Sequence, residues 1–321
     1  MLGRLVTGAI AAALAWTPAG AAQGTGAGAA QDAPVAPAAA RQDYEPKPAL
    51  WLLEDADTKI YLFGTFHILP PGFRWRTARF DEVASRADSL VLETVTPPGD
   101  PMAGQDAIVE RYFMTSVPVP ILKRVERKHR KVVGQAIASS GLPAEAYSFM
   151  QTWAVGFMLL MEEGMEDFGG VAPDAIPGVE DQLEASLRAA GKPIGAIEDG
   201  DAVAEALFGF FARMPAAEQR AMLVEAATEV VRGEDAADDL SDLHDWARGR
   251  ADGLANGFEE MPEAMYDILI TRRNAAWTDW LAKRLEQPGT TLLAVGAGHL
   301  AGPGSVQELL AKRGLVASRI Q

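Results

Sequence analysis

An α/β fold, mixed α+β in detail, with a central sheet of buried strands flanked by helices and a helical middle layer or cap, is predicted by three observations. Four short apolar runs, Ile60 to Phe63, Leu90 to Leu92, Ile194 to Ile197 and Leu292 to Val295, lack the alternation of half-exposed strands, as suits strands covered on both faces. Helical patterns separate them, and Arg76 to Ala87 and Asp181 to Ala190 are short enough to be crossovers. Each run is followed by a residue able to bind a metal or move a proton: His67, Glu93, Glu198 and His299 respectively.

Taken in chain order, Arg4, the apolar stretch Leu5 to Trp16 and the small residues through Ala22 predict a secretory leader over residues 1–22, cut near Ala21 or Ala22. The expected location is therefore periplasmic or secreted. The apolar run is shorter than the ~20 residues that cross a bilayer, so no stable membrane insertion is expected after cleavage. Residues 23–48, mostly Ala, Gly, Pro and Gln, are too poor in large apolar groups to offset ordering entropy and read as a disordered tether. The folded domain is expected over residues 49–321. It opens on a hairpin, with Leu50 to Leu53, a polar turn at Glu54 to Asp57 and a return strand from Lys59. Residues 106–163 and 202–285 carry Ala, Leu, Met, Glu and Arg at helical spacing and predict the helical layer. Between them, the Gly- and Pro-bearing segment 164–178 reads as a loop covering a site.

Composition narrows the chemistry. The 321 residues are 48% hydrophobic, enough for a substantial core, and 44 acidic against 29 basic side chains give a net charge of −15. Such a field repels phosphate backbones and anionic lipid, local patches aside, so nucleic acid is not an expected partner. The chain has no Cys, which excludes structural disulfides, thiolate zinc sites and a Cys nucleophile. A metal must then be held by His and carboxylates. There is no Walker motif, no G-x-S-x-G and no H-E-x-x-H. The basic run Lys123 to Lys131 has helical spacing and no interleaved aromatics, and reads as a solvated face. His244 lies among Asp238, Asp239, Asp242 and Asp245, where a polar loop is expected over a weak cation site.

The most specific feature is a repeated tetrad, Gly64-Thr65-Phe66-His67 and Gly296-Ala297-Gly298-His299, each following a buried strand. Gly after a strand permits a sharp turn, and the His can then project over the sheet's carboxyl edge, where open α/β sheets place ligands. The alternative for each His is a satisfied core or capping residue. Glu93 and Glu198 occupy equivalent strand-end positions, where an ionised acid needs a cation, a metal or an Arg beside it. Two His with one or two carboxylates suit Mn, Fe, Co or Zn. In the late helix, predicted from Glu263 to Leu285, Arg273 and Asn274 lie beside the stripe Ile268, Leu269, Trp277, Leu281 and Leu285. They either face solvent or reach inward to a substrate carbonyl or a site carboxylate. Ser305 is read as the N-cap of a helix from Val306 to Arg313, and not as a nucleophile.

These residues together resemble the TraB/GumN family, related to the TIKI metalloproteases: Leu62 to His67, Ala87 to Glu93, Gly178 to Asp181 with Lys192 to Glu198, Arg273-Asn274, and Val295 to Gly302. The resemblance implies an EreA/ChaN-like fold, shared with erythromycin-esterase-like and haem-binding ChaN-like proteins. It also implies metal-dependent hydrolysis of peptide or small-molecule substrates, with a divalent metal (Mn, Co, Fe or Zn) on His67, His299 and Glu93. Glu93 or Glu198 then serves as general base, Arg273 steadies an oxyanion, and Asn274 and Glu180 bind substrate. The middle motif reads Gly178-Val179-Glu180-Asp181 where Gly-x-Asp is expected, so the acid serving the site is Glu180, Asp181 or Glu198. The alternative is a non-catalytic periplasmic protein that binds metal, haem or a small ligand.

Overall fold

The computed structural model describes residues 41–95, 105–140, 142–166, 177–232, 240–251, 254 and 261–321. The leader over residues 1–22, the tether through residue 40 and most of the 164–178 loop lie outside the described residues, as do Asp238 and Asp239.

Asp55 starts the sheet by closing the first turn, its carboxylate accepting from the Thr58 amide at 2.9 Å. That turn joins β1 (Leu50–Glu54) to β2 (Thr58–Thr65) as the expected hairpin, with Leu50 opposite Phe63 and Glu54 opposite Lys59. With β3 (Ser89–Leu92), β4 (Ile194–Ala196), β5 (Gly289–Gly296) and β6 (Ser318–Arg319), they form one six-stranded sheet in the order β4-β3-β5-β2-β1-β6. β4, β3, β5 and β2 run parallel, and β1 is antiparallel to both its neighbours.

The unbroken apolar runs of β2 and β5 have the cause inferred for them. Tyr61, Phe63, Leu292 and Ala294 enter one core with Phe80, Val83, Leu183 and Trp246. Their neighbours Ile60, Leu62, Leu293 and Val295 enter another with Trp277, Leu281, Val306 and Leu310. Side chains alternate faces along a strand, and both faces are covered. β4 is the exception: it is an edge strand, with Gly195 and Ala196 exposed, and its run was too short to reveal that only one neighbour pairs with it.

The expected crossovers are helices Ala78–Arg86, capped by the Thr77 hydroxyl at 3.0 Å from the Phe80 amide, and Val179–Ala189. Ser305 caps helix Val306–Lys312 as expected. The helical layer builds its own core, in which Trp153 stacks on Phe211 at 5.2 Å among Phe113, Phe157 and Phe208. The late helix ties the layer to the sheet. Met265, Leu269 and Ile270 pack in the layer, whereas Trp277, Leu281 and Leu285 pack on the sheet. Between the two lies a π-helical turn, Asp267–Thr271, set between helices Glu263–Tyr266 and Arg272–Leu285.

Two expectations need correction. Residues 41–48, read as tether, are held on the body: Gln42 exchanges hydrogen bonds with the Arg74 backbone at 2.6 and 2.7 Å, and the Lys47 amide reaches the Ala247 carbonyl at 2.6 Å. His244, expected in a polar loop, lies in helix Ser241–Ala247, 2.6 Å from the Tyr44 hydroxyl and edge-on to Phe73. Tyr44 is the large aromatic that makes this stretch unlike the rest of the tether.

Candidate functional site

β5, late in the chain, lies between β3 and β2, so the carboxyl ends of β4, β3, β5 and β2 form one edge. Glu198, Glu93, His299 and His67 follow those ends in that order. Pairing continues past β3 and β4, with the Glu198 amide 3.1 Å from the Glu93 carbonyl. The two tetrads pack on each other: a Cβ added at Gly64 would stand 3.0 Å from Ala297 Cα, tighter than ordinary contact, so a larger residue there would push the two apart by a few tenths of an ångström. Their backbones differ after the glycine, since β2 runs on through Thr65 whereas β5 ends at Gly296 and a 3-10 turn, Ala297–Leu300, carries His299.

The first cluster forms around His67. Its Nδ1 lies 3.1 Å from Glu180 Oε1, which also accepts from the Thr65 hydroxyl. Glu180 arrives because helix Val179–Ala189 starts against the His67 backbone, with the Val179 amide 2.9 Å from the Phe66 carbonyl. A carboxylate oxygen only accepts, so in the neutral ring Nδ1 carries the proton and Nε2 is the nitrogen left with a lone pair. His67 Nε2 and Glu180 Oε2 are both buried without a hydrogen-bond partner. Asp181 takes a different part, accepting from the Gly178 amide at 2.9 Å to cap the helix.

Arg273 organises the second cluster. Its guanidinium donates to Glu93 Oε2, to Glu198 through Nε at 2.9 Å, and to the Leu269 carbonyl in the π turn at 3.2 Å. The strand-end acids thus meet the cation their burial demanded. Glu93 Oε1 accepts from the Gly296 amide at 2.6 Å, and Glu198 Oε2 from the Trp277 indole at 3.0 Å. The Arg273 guanidinium also sits over the Trp277 ring at 4.9 Å, and that ring lies 4.3 Å from His299. With its donors turned to Glu93, Glu198 and Leu269, Arg273 is a clamp on two acids.

Asn274, expected to bind substrate, is fully buried and orients His299. Its Nδ2 donates to the Gly304 carbonyl at 2.8 Å, which turns Oδ1 toward His299 Nδ1 at 2.7 Å. Nδ1 is therefore the protonated nitrogen here too, and His299 Nε2 faces Glu93 Oε1 at 3.9 Å. Trp277 and Thr65 were missed from sequence. The spacing Leu269, Arg273, Trp277, Leu281, Leu285 by fours carried the signal: a charged residue standing in an apolar stripe needs a buried partner.

The electrostatics follow from burial and Arg273. Burial, aided by the Arg273 charge, pushes the His299 imidazole down to about 3, so the ring is neutral. Burial opposes ionisation of Glu93, yet Arg273 beside it, with help from the Gly296 amide, brings its carboxyl down to about 2. Burial raises both Glu180 and Glu198, with His67 and Thr65 offsetting part of it at the first and Arg273 at the second.

In metal-free protein these shifts oppose one another. Unfolding returns His299 from about 3 to 6.5 and Glu93 from about 2 to 4.5, so the unfolded chain binds more protons and stability falls as pH drops through those windows. Glu180 and Glu198 contribute stability that is lost as pH rises from 4.5 through their raised folded values. Urea titrations in chelator are expected to show His299→Gln flattening the fall between pH 6.5 and 4.5, where Glu93 does not yet titrate. A profile parallel to the parent's would refute the neutral buried imidazole.

Among the described residues no three His, Asp or Glu side chains already stand grouped as ligands of one ion. The donor chemistry nevertheless fits one, because both imidazoles are fixed through Nδ1, as metal-binding His usually are, and the orphaned His67 Nε2 and Glu180 Oε2 call for a further partner.

Two curated relatives share part of this sequence: "Uncharacterized protein YbaP" of Escherichia coli (strain K12) and of Shigella flexneri, each 42% identical over 57 residues. The match covers 18% of this chain and 20% of each relative, so it spans about a fifth of their length. No solved structure matches the chain. The family model described as the TraB/PrgY/gumN family matches residues 49–319, nearly the whole folded part, and the chain belongs to that family.

Proposed function

We propose that this chain is an exported divalent-metal-dependent hydrolase acting on carbonyl substrates, peptides or small molecules. The observation that supports it most is the common tautomer of its two site histidines, each held through Nδ1 by an oxygen on another element and each left with Nε2 as a lone pair. His67, His299 and Glu93 would hold the ion, and the donor set suits Mn, Co, Fe or Zn. Such an ion supplies Lewis-acid polarisation of a carbonyl and a water acidified enough to attack at neutral pH.

The remaining chemistry belongs to the chain. Glu93, kept ionised by Arg273, contributes negative charge and is too weak a base to move protons near neutrality. Glu180 suits general-base work better than Glu93 or Glu198: burial raises its carboxyl, and Oε2 has no partner. Glu198 is held by Arg273 and Trp277. That engagement of Glu93 and Glu198 favours a second reading, a non-catalytic periplasmic binder of metal, haem or a small anion, in which the His pair ligates without turnover.

After loading with Mn or Co and desalting, His67→Ala and His299→Ala are each expected to lose at least about tenfold in bound metal by elemental analysis, with unchanged circular dichroism. Metal retained at the parent level would overturn the site. Glu180→Gln, whose amide oxygen can still accept from His67 Nδ1, is expected to keep metal and abolish hydrolysis across a panel of peptides and esters. Metal binding with no hydrolysis by the parent, or a Soret band on adding haem that the His variants lose, would decide for the binder.

A further inference from the structure

The helical layer carries a surface that the site does not use. Among the described residues, five of the eight exposed large apolar side chains, Met114, Val117, Val119, Leu122 and Phe149, come from two short segments that the fold joins. Met114 bridges Met150, the Thr115 amide reaches the Phe149 carbonyl at 2.7 Å, and the Val119 amide reaches the Ser148 carbonyl at 3.1 Å. Arg124 fixes the platform from beneath, donating to the Val119, Ser148 and Met150 carbonyls. Val117 is 68% exposed and Phe149 49%, so the apolar groups face solvent from a hydrogen-bonded base.

Lys123 directly follows Leu122, and Leu122 lies over Gly134 of helix Arg130–Ser139, whose first turn is basic. From 123 to 131 there are six Lys and Arg against one acid, Glu126, which is paired with Lys128 at 3.1 Å. Lys123, Arg127, Arg130 and Lys131 make no ion pair among the described residues. Exposed Arg220 of helix Ala216–Arg232 also acts on Glu126. This is a concentrated positive patch on a chain whose net charge is −15.

We propose that this face is a docking surface for an anionic phospholipid bilayer. Exposed aliphatic and Phe side chains flanked by Lys and Arg that make no ion pair among the described residues are the features of an interfacial anchor: the cations approach acidic headgroups while the apolar groups enter the acyl boundary. An acidic protein would answer the charge but leave the neighbouring aliphatics without a partner. The surface requires no spanning helix, and among the described residues no helix is long and apolar enough to cross a membrane.

The test is vesicle flotation of the full chain, with residues 1–40 the same in every sample so that their own contribution cancels. Vesicles are phosphatidylcholine alone or with about a third phosphatidylglycerol. The parent is expected to prefer the anionic vesicles and to lose that preference at high salt. The triple variant Lys123→Glu, Arg127→Glu, Lys131→Glu is expected to bind them at least about a hundredfold more weakly. Val117→Asp with Phe149→Ser is expected to weaken binding at either salt. All substituted groups are exposed, and circular dichroism reports that the fold persists. Equal binding to both vesicles, or unchanged binding by either variant, overturns the proposal. Self-association lost on Phe149→Ser, or capture by polyglutamate without vesicle binding, would give the surface to a second copy or an acidic protein and overturn it likewise.

Discussion

Arg273→Met is expected to destabilise the protein by about 3–5 kcal/mol, the usual cost of removing one partner from a buried ionic cluster. Arg273 is 6% exposed and holds Glu93, at 3%, and Glu198 together, so its loss leaves two largely buried carboxyls without the cation that joins them. Glu93 is affected most. Its depressed titration depends on Arg273 against the opposing effect of burial, and without that charge the carboxyl must take up a proton or draw in water. The guanidinium also donates to the Leu269 carbonyl in the π turn, so the join between the two halves of the late helix loses a bond as well. For a domain of this size the loss corresponds to a fall in Tm on the order of 10 °C. Urea unfolding at pH 7 measures it, and a change under about 1 kcal/mol would mean that the cluster carries little net energy. The double variant Arg273→Met, Glu93→Gln is expected to recover part of the loss, because it removes the stranded charge along with its partner.

The portion of this arrangement that was legible in the sequence is the portion set by local physics. A run such as Leu292 to Val295 has to be covered on both faces wherever it lies, and Ser305 caps its helix through its own neighbours. The strand-end acids were also legible as a demand: burial required a cation for Glu93 and Glu198, and Arg273 supplies it to both. What the chain did not disclose were choices among distant partners. Nothing near β4 distinguishes an edge strand from an interior one, and nothing near Asn274 identifies the His that it orients 25 residues later. Glu180, Asp181 and Glu198 were equivalent candidates by type; they separate because Asp181 is spent on a helix end, Glu198 on Arg273 and Glu180 on His67. Residues 41–48 looked like linker because their composition is poor, yet Tyr44 and Gln42 help to fasten them.

Gly178→Ala is expected to disable the site while removing no functional group from it. A Cβ at this position would stand 2.0 Å from the His67 carbonyl oxygen and 2.7 Å from His67 Cα, distances that no rotamer change relieves because the obstruction is backbone. Either the start of helix Val179–Ala189 or the segment Phe66–His67 must move. Both carry the site, since the Val179 amide bonds to the Phe66 carbonyl and the next residue, Glu180, holds His67 through Nδ1. Separating them frees the imidazole to rotate and removes the bond that fixes Nε2 as a lone pair. Overpacking of this kind costs about 1–3 kcal/mol, which a domain of 270 or so residues survives. The variant should therefore stay folded, with a Tm lowered by several degrees, while affinity for the proposed metal falls by about 10- to 100-fold, the range seen when a ligand's orienting partner is lost. Isothermal titration with Mn or Co reads the affinity, and calorimetry of the same sample reads the fold. Parent-like affinity in Gly178→Ala would show that His67 needs no help from Glu180, and the tautomer argument for its part in the site would fall with it.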